Sequence, residues 1–500
     1  MAKLAGGRRM AAENPDYDVI VVGGGGAGLI AAIYACDAGA RVALLEADDR
    51  LGGSTALSGG LFYATETKQQ QELKVIDDQQ SVCADIAKIS SGEIPDSLSR
   101  RFASEAKLTL DWLVSIGVEF PSDRLVSADR IMPARSHEPV GFGASIIRSL
   151  DYEVSKRDID IAYRSRVQEL IVDDTGAVCG VRLEGSDIHS AAVVLACGGI
   201  GGSPELLDRM TPKSRRVADW RWYVGPKQNQ GDGLLMAESV GARICGKDSG
   251  LFLLSPNFYR DLEVIGPAWA MLVNRQGQRI VREDGGYWEL SEAVERQEEG
   301  SAYYIFNEEL LLASEPDERV LEALADGTIT LNWIPSVIHE QAEKGKVEVA
   351  DTLEDLARAI NVDAAALAAT VNSYNSAAES EDNDAFFKAK EYCLAMRGGP
   401  YYAVEVRPSI AIVTGAGAAI DDRGNVLAKD GRPIPGLYAA GEVTGNVYGP
   451  YYIGSGYAIG TTLTFGRRAG IEAASFATAP AGPVENHLPT TPDHHETGQA

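Results

Sequence analysis

The chain has 500 residues, 45% of them hydrophobic, and a formal net charge of −26. This length predicts two domains with a sizeable core, and the negative charge argues against nucleic acid or an anionic lipid surface as a partner. Six scattered cysteines form no C-x-x-C pair, so we expect no metal. No apolar run has the length of a membrane span or the pattern of a signal peptide, so we expect a cytoplasmic protein without a transmembrane segment.

The first chemical motif lies close to the N-terminus. A β-branched strand, the glycine-rich turn 23–28, a helical run and a second strand follow one another, and Glu46 closes the second strand. Gly23 allows a tight turn, Gly25 lets the backbone approach a pyrophosphate, and Gly28 lets the helix pack on the strand. Glu46 is placed to accept a hydrogen bond from an adenosine ribose, so the unit predicts a dinucleotide site. The residues assigned to it are Gly23, Gly25, Gly26, Ala27, Gly28, Glu46 and Ala47.

Two further glycine-rich stretches favour FAD over NAD. The first, residues 51–60, directly follows the opening unit, where a nicotinamide enzyme normally continues into another strand and helix. The second, residues 436–470, predicts a short strand ending at Glu442, a loop rich in tyrosine, and a helix that begins near Tyr457. A carboxylate at a strand end can hold a polyol hydroxyl, and a helix N-terminus can hold an electron-rich ring edge.

The motifs Gly52-Gly53-Ser54 and Ser58-Gly59-Gly60 resemble the flavin-side loop of the fumarate reductase and 3-ketosteroid dehydrogenase superfamily. Similar segments continue to about residue 470. The resemblance implies an α/β fold with a Rossmann-like, glutathione-reductase-type FAD-binding domain and an inserted α+β cap. It implies non-covalent FAD, because the loop lacks the histidine of covalent relatives. The further cofactor residues that it implies are Gly52, Gly53, Ser54, Thr55, Ser58, Gly59, Gly60, Val167, Ala196, Gly198, Asp232, Gly441, Glu442, Ala458 and Ile459.

The flavin motifs stop near residue 242 and return near residue 400. We therefore predict a discontinuous FAD-binding domain, an inserted cap that closes over the flavin, and flexible tails. The predicted boundaries are 16–242 and 400–475 for the FAD-binding domain, 243–399 for the cap, and 1–15 and 476–500 for the tails.

Tyrosines stand where the fumarate reductase branch of this superfamily has cations. On the alignment that the motifs give, Tyr448 occupies a histidine position, Tyr452 an arginine position, and Tyr287 the position of the proton-donating arginine. Without those cations, the carboxylates of a dianionic substrate lose their partners and stay desolvated and unpaired. This pattern argues against a dicarboxylate substrate.

The same positions are similar to motifs of 3-ketosteroid dehydrogenases of the Δ1 or Δ4-(5α) type. Tyr452 to Gly456 is similar to their Tyr-x-x-x-Gly signature, whose tyrosine hydroxyl and glycine N–H hold the ketone oxygen. Tyr287 is similar to the tyrosine that takes the α-proton, and Arg282 replaces an asparagine of that motif. Ser455 favours the Δ4-(5α) type, in which a serine joins the proton relay. The catalytic residues that the resemblance implies are Tyr287, Tyr448, Tyr452, Ser455 and Gly456.

The predicted function is FAD-dependent α,β-dehydrogenation of a cyclic ketone, a 3-ketosteroid or related alicyclic ketone. The resemblance implies α-proton abstraction, β-hydride transfer to flavin N5 and an external quinone-like acceptor. The alternative is a reductase of the double bond of an α,β-unsaturated carboxylic acid, which would use His137 and a cap arginine. His137 either holds one carboxylate or braces its loop, and we expect Arg279 and Arg282 to be surface charges of the cap. A third possibility is a flavin carrier with a closed pocket.

Overall fold

The computed structural model describes residues 15–127, 132–259, 266–314, 331–380 and 384–479. Two sheets carry the architecture. The larger sheet has eight strands in the order β18-β19-β9-β1-β2-β6, with β8 pairing β9 and β7 pairing β8. Its strands are β1 Tyr17–Val22, β2 Val42–Leu45, β6 Ile159–Ala162, β7 Glu169–Val172, β8 Val178–Leu183, β9 Ser186–Leu195, β18 Asn425–Leu427 and β19 Pro433–Ala439.

The centre of this sheet is parallel. β1 pairs in parallel with β2 and β9, and β19 pairs in parallel with β9. The central strands are buried apolar runs, as parallel strands covered on both faces require. Their carboxyl ends therefore meet at one edge, where the predicted glycine turn and Glu442 both lie.

The helices surround the sheets. The α-helices found in the described residues are α1 Gly26–Asp37, α2 Gly53–Leu57, α3 Lys68–Glu72, α4 Gln79–Ile89, α5 Asp96–Ser115, α6 Phe142–Ser155, α7 Pro204–Met210, α8 Asp232–Ser239, α9 Tyr287–Glu295, α10 Glu308–Ala313, α11 Pro335–Glu343, α12 Leu353–Ala359, α13 Ala364–Glu379 and α14 Tyr457–Thr478. Short 3-10 helices span Ser122–Arg124, Pro212–Val217, Glu298–Gly300 and Lys390–Tyr392. In those parts of the chain no helix is both long and apolar enough to cross a membrane.

Helices α1 and α14 pack closely because glycines line their contact. A Cβ added to Gly466 would lie 2.7 Å from the Ala27 carbonyl oxygen, and one added to Gly470 would lie 2.2 Å from that of Ala31. The close approach fixes the N-terminal turn of α14 beside the glycine turn of α1. The helix predicted to begin near Tyr457 is confirmed.

The second sheet has six strands, organised by one long strand. That strand, β16, pairs antiparallel with β12, β14 and β15 and parallel with β10, and β13 pairs with β14. The strands are β10 Trp222–Tyr223, β12 Gly250–Ser255, β13 Met271–Val273, β14 Ala302–Asn307, β15 Glu348–Ala350 and β16 Tyr401–Thr414. This sheet takes strands from both sides of the predicted boundaries at 242 and 400, and those boundaries stay a prediction.

Two small sheets complete the described part. One joins β3 Phe62–Tyr63, β4 Leu125–Val126 and β5 Ser136–His137, and the other joins β11 Ile244–Cys245 and β17 Gly417–Ala418. The α/β fold class predicted from the sequence is confirmed by the parallel sheet and its helices. The predicted tails lie largely outside the described residues.

Candidate active site

The glycine turn after β1 has the geometry that its sequence predicts. Gly23 has a φ of +105°, which favours glycine. A Cβ on Gly28 would lie 1.8 Å from the Gly23 carbonyl oxygen, so only hydrogen fits there. Gly25 forms a bridge with Gly52, which brings the second glycine-rich loop beside the first. The two loops therefore form one continuous backbone surface at the carboxyl edge of the sheet.

Glu46 lies at the end of β2 and faces this surface. Its Oε2 accepts a hydrogen bond from Gly24 N at 2.6 Å, and its Oε1 accepts one from Asp48 N at 2.7 Å. The side chain is largely buried. A carboxylate fixed in this position beside a pyrophosphate-binding turn fits the adenosine ribose of a dinucleotide.

Glu442 lies at the opposite end of the same edge. Its Oε1 accepts hydrogen bonds from Thr414 N and Thr414 Oγ1, both at 2.7 Å. Burial of the carboxylate raises the pKa of Glu442. The residue is nevertheless partly exposed to the cleft, so a polyol hydroxyl can reach it. Thr414, the last residue of β16, was not predicted from the sequence.

A polar group that sequence analysis missed joins the second glycine-rich loop to the end of β9. A Cβ on Gly198 would lie 2.4 Å from the Asn229 side chain, and Asn229 Nδ2 donates to Ser54 Oγ at 3.1 Å and Tyr223 Oη at 2.6 Å. Asn229 precedes the predicted Asp232 by three residues. A polar amide so close to a predicted cofactor residue is the sequence feature that could have identified it. Asp232 itself begins α8 and pairs with Arg166 at 2.8 Å.

The remaining predicted cofactor residues lie on the same two loops, at the ends of the central strands or in the first turn of α14. A Cβ on Gly26 would lie 2.6 Å from Thr55 Oγ1, which shows how tightly the two loops meet. Ser58 Oγ donates to the Thr55 carbonyl and accepts from Gly60 N. These residues are Gly26, Ala27, Ala47, Gly53, Thr55, Ser58, Gly59, Gly60, Ala196, Gly441, Ala458 and Ile459. Val167 lies elsewhere, in the segment between β6 and β7. The set fits FAD in its chemistry and arrangement.

Tyr452 stands at the N-terminus of α14. Its Oη accepts a hydrogen bond from Ala458 N at 3.0 Å, and the side chain is 7% exposed. Burial, with the neighbouring phenols, raises the pKa of Tyr452, and the Ala458 N–H acts in the opposite direction. Because the oxygen accepts that bond, the phenol proton is free to point to another acceptor.

Tyr287 reaches the same place from α9, within the residues predicted to form the cap. It is the first residue of α9, and its Oη lies 3.1 Å from Ser455 Oγ. Its ring centroid is 6.3 Å from that of Tyr452. Burial raises the pKa of Tyr287, and the Ser455 hydroxyl lowers it in part. The structure thus brings together three of the predicted catalytic residues, from segments more than 150 positions apart in the chain.

Tyr448 is more deeply enclosed than the other phenols. It is 3% exposed, and burial raises its pKa to about 12. Tyr451 instead contacts Arg296, with its Oη 3.2 Å from a guanidinium nitrogen. Tyr287, Tyr452 and Ser455 together form the phenol group of this site, and Tyr448 is buried beside it.

Two carbonyl oxygens of the turn that carries Ser455 and Gly456 accept hydrogen bonds from another part of the chain. Gly456 is the N-cap of α14 with a φ of +86°. Its carbonyl accepts a hydrogen bond from Tyr63 N at 3.2 Å, and the Ser455 carbonyl accepts one from Ser136 Oγ at 2.5 Å. Both contacts come from the small sheet formed by β3, β4 and β5.

His137 braces its loop in this structure. Its Nε2 lies 2.9 Å from Thr67 Oγ1, and its Nδ1 lies 3.0 Å from the Phe62 carbonyl and 2.9 Å from that of Arg135. The ring is 1% exposed, and burial lowers its pKa to about 4. A neutral, fully engaged imidazole has no free position for a substrate carboxylate, so of the two roles left open the bracing role is the one observed.

The expectation that the cap arginines are surface charges is wrong. Arg279 is 6% exposed and lies between Glu283 and Asp384, each at 2.7 Å. Arg282 is 16% exposed and pairs with Asp284 at 3.3 Å. This burial could not be predicted from the sequence, because Asp384 is 105 positions away from Arg279.

A cavity with a mixed lining borders Tyr287. About 410 Å³ of empty space lies here, part of it open solvent. Its apolar walls include Leu253, Leu254, Leu290 and Ile410, and its polar walls include Ser255, Tyr304 and Asn332.

Comparison with known proteins agrees with the flavin site. The FAD binding domain family matches residues 18–459. The chain is 32% identical over 481 residues to the fumarate reductase (cytochrome) of Shewanella frigidimarina, covering 93% of this chain and 78% of the relative. It is 30% identical over 484 residues to the urocanate reductase of Eggerthella lenta, covering 92% and 75%.

Solved structures give the same superfamily. The 3-ketosteroid Δ4-(5α)-dehydrogenase of Rhodococcus jostii RHA1 superimposes with a TM-score of 0.75 at 25% identity, covering 93% of this chain and 99% of that one. The open conformation of a flavocytochrome c3 fumarate reductase gives 0.67 at 30% identity, covering 94% and 80%. FAD is thereby confirmed as the cofactor. The chain belongs to the FAD binding domain family of the fumarate reductase/succinate dehydrogenase flavoprotein superfamily and is an FAD-dependent oxidoreductase.

Proposed function

We propose that this protein dehydrogenates the α,β-carbon pair of a cyclic ketone, with a 3-ketosteroid or a related alicyclic ketone as substrate. The observation that carries the proposal is the hydrogen bond from Ala458 N to Tyr452 Oη. It occupies the phenol oxygen as an acceptor and directs the phenol proton outward. Tyr452 is thereby prepared to donate to a carbonyl oxygen and to stabilise the negative charge that this oxygen gains.

The cations described near this group support a neutral substrate. Arg135 is 1% exposed and bound to Asp77, Asp85 and Tyr63, so its charge is already satisfied. Arg279 is similarly held within the cap. Moving either guanidinium to a substrate would leave carboxylates buried and unpaired, at a cost of several kcal/mol. Beside these two arginines the hydroxyls are the donors offered to substrate, and a ketone needs nothing stronger. Arg296, which contacts Tyr451 and Glu292, is the cation that an acid would use.

Proton removal is assigned to Tyr287 and Ser455. Their hydroxyls lie 3.1 Å apart, within hydrogen-bonding distance. Burial raises the pKa of Tyr287, so its phenol stays protonated at neutral pH. It takes the α-proton as its own proton passes to Ser455 Oγ, and the partly exposed Ser455 releases its hydroxyl proton to solvent in the same relay. Bound FAD supplies the two-electron acceptor for the reaction.

The cavity beside Tyr287 has leucine and isoleucine side chains in its wall, which the hydrocarbon ring of the proposed substrate would contact, together with polar side chains. The similarity to a 3-ketosteroid Δ4-(5α)-dehydrogenase structure along 93% of the chain supports the same class.

The second candidate is reduction of the double bond of an α,β-unsaturated acid. It is favoured by the 32% identity to a fumarate reductase, which exceeds the 25% identity to the steroid enzyme. In this case the two protonated phenols would act as proton donors. A monocarboxylate would then need a cation other than Arg135, Arg279 and His137, whose contacts are described above.

An anaerobic assay separates the two candidates. The oxidised protein is mixed in turn with 3-ketosteroids and cyclohexanones, and flavin absorbance is followed; the dithionite-reduced protein is mixed with enones and enoates. Bleaching by a saturated ketone supports dehydrogenation. Reoxidation by enoates with no response to any ketone or enone would instead support the acid reductase. No response in either direction would support a closed pocket and contradict both candidates.

The electron acceptor is proposed to be an external quinone-like compound, which the same assay tests by adding quinones to the bleached protein. Location in the cytoplasm and the division into domains at residues 242 and 400 remain predictions from the sequence.

A further inference from the structure

Ser136 lies outside the phenol group but is bonded to its backbone. Its Oγ donates to the Ser455 carbonyl at 2.5 Å, across 319 positions of sequence, and its side chain has no solvent exposure. Ser455 is the residue whose hydroxyl faces Tyr287. The contact therefore acts on the same turn that supplies the proton relay and the Gly456 N–H.

The orientation of one peptide unit follows from this contact. The Ser455 carbonyl and the Gly456 N–H belong to the same trans peptide, so they point in opposite directions. Because Ser136 holds the carbonyl, the Gly456 N–H points away from the small sheet. Within the described residues this N–H has no hydrogen-bond acceptor, so it is available to a ligand.

The neighbours of this peptide hold the turn at its ends and not at the Ser455 carbonyl: the Gly454 carbonyl accepts a hydrogen bond from Tyr457 N at 3.1 Å, and the Gly456 carbonyl accepts one from Gly460 N at 2.8 Å. Gly454 and Gly456 have φ values of +147° and +86°, and glycine visits both signs of φ readily. The small sheet supplies the restriction. Ser136 pairs with Tyr63 across the β3–β5 ladder, and Tyr63 N holds the next carbonyl of the turn, that of Gly456. The small sheet therefore donates hydrogen bonds to two successive carbonyls of the turn, those of Ser455 and Gly456.

We propose that Ser136 is a positioning residue that keeps the Gly456 N–H directed at the substrate oxygen, as a second donor beside the Tyr452 hydroxyl. The inference rests on the proposed ketone chemistry. Ser136 itself does not touch substrate. Its loss removes the hydrogen bond that holds the Ser455 carbonyl, so the Ser455–Gly456 peptide is oriented less firmly and the Gly456 N–H donates less well to the substrate oxygen.

The first test is Ser136→Ala, with Ser190→Ala as a matched control. Ser190 is also buried and also donates to a backbone carbonyl, that of Ala192 at 2.9 Å, in the flavin sheet. With a ketone that bleaches the wild-type flavin, Ser136→Ala should lower kcat by about 10²-fold, the scale for one oxyanion donor. KM, FAD content and the flavin spectrum should change little. Ser190→Ala should keep the wild-type kcat.

A second readout separates positioning from general loosening of the fold. A phenol such as 2-naphthol in the ketone site places its oxygen where the enolate oxygen would lie, and two donors there lower the pKa of the bound phenol. Ser136→Ala should raise that pKa by one to two units, which corresponds to a 10- to 100-fold loss for the anion alone. Loosening of the fold would weaken the neutral and ionised phenol equally and leave the pKa unchanged.

A double-variant cycle then shows whether Ser136 acts through the Gly456 N–H or through the Ser455 hydroxyl. If Ser136 acts through the Gly456 N–H, its effect should persist in a Ser455→Ala background; if it acts only through the Ser455 hydroxyl, the effect should vanish there and the proposal is overturned. Wild-type kcat and phenol pKa in a folded Ser136→Ala protein also overturn it. Should that variant lose FAD, Ser136→Cys replaces it, and loss of FAD in both identifies a folding residue instead. Failure of the wild-type protein to respond to any ketone or phenol contradicts the proposed function rather than the role of Ser136.

Discussion

The nucleotide end and the phenol group of this protein are built in different ways. The nucleotide end depends on glycine turns that neighbour each other in sequence, such as those of Gly23 and Gly52, with Glu46 a short distance along the chain. The phenol group gathers Tyr287 of the cap and Tyr452 of the loop before α14, 165 positions apart, and the small sheet supports it. A local backbone rule defines the first region, and tertiary contacts define the second.

The two regions also differ in charge. The nucleotide end has the carboxylate of Glu46, and the carboxylate of Glu442 lies at the opposite end of the same sheet edge; both are proposed to accept hydrogen bonds from cofactor hydroxyls. Around the phenols, the guanidiniums of Arg135 and Arg279 are bound to buried carboxylates, so they stabilise the scaffold and are not offered to substrate. Substitutions in either region test this difference.

The largest effect is expected from Tyr287→Phe, which removes the group assigned to the α-proton. Flavin bleaching by a ketone should slow by about 10²–10⁴-fold, the range for general acid–base groups. The FAD spectrum should stay normal, and exchange of the substrate α-proton with D₂O, followed by NMR, should stop. Tyr303→Phe, in β14 of the same cap, serves as the control. Continued exchange in the Tyr287 variant would transfer the base function to another residue.

Tyr452→Phe tests the neutral donor. It should lower kcat by about 10²–10³-fold with a smaller change in KM, because the hydroxyl acts mainly on the developing enolate. Tyr451→Phe, which alters only the neighbouring phenol bound to Arg296, should retain most of the activity. Stopped-flow bleaching at saturating ketone measures both. Equal kcat in the two variants would reduce Tyr452 to a packing residue.

The buried His137 predicts how stability depends on pH. Its pKa is lowered to about 4 in the folded protein, against about 6.5 when unfolded. The unfolded state therefore binds the proton first, and the stability that the neutral ring contributes is present above pH 6.5 and lost as pH falls toward 4. Between pH 8 and pH 5 this residue should account for about 2 kcal/mol of lost stability.

Urea unfolding of the wild type and of His137→Gln at both pH values measures this difference. The variant should lose less stability on acidification, since glutamine does not titrate. An identical pH dependence of the two proteins would mean that His137 keeps its ordinary pKa in the folded state and would reopen its carboxylate-binding role.

An effect on cofactor affinity alone is expected at the nucleotide end, where many backbone contacts share the binding. Glu46→Gln should weaken FAD binding by roughly 1.5–3 kcal/mol, because a charged partner of the ribose is lost. Asp49→Asn, an exposed neighbour, should leave affinity near the wild-type value. Fluorescence titration of the apoprotein with FAD compares them. Unchanged affinity in the Glu46 variant would place the adenosine ribose elsewhere.

The nucleotide end could be predicted from the sequence more completely than the phenol group, for a physical reason. Gly23 and Gly28 are visible because a tight turn restricts backbone conformation whatever surrounds it. Ser136, Asn229 and Thr414 escape prediction because their contacts join residues far apart in the chain. Tyr287 and Tyr452 were found only through their similarity to family motifs. The burial of Arg279 was mispredicted because charge alone predicts exposure unless a partner is known.

Strand β16, Tyr401–Thr414, has a consequence for engineering this protein. It pairs with β14 and β15 at its start and ends at Thr414, the residue that holds Glu442. One continuous rigid element thus belongs both to the substrate side and to the cofactor side. A cap exchanged between relatives must therefore be cut outside this strand, and a chimera joined within it should lose cofactor affinity as well as selectivity.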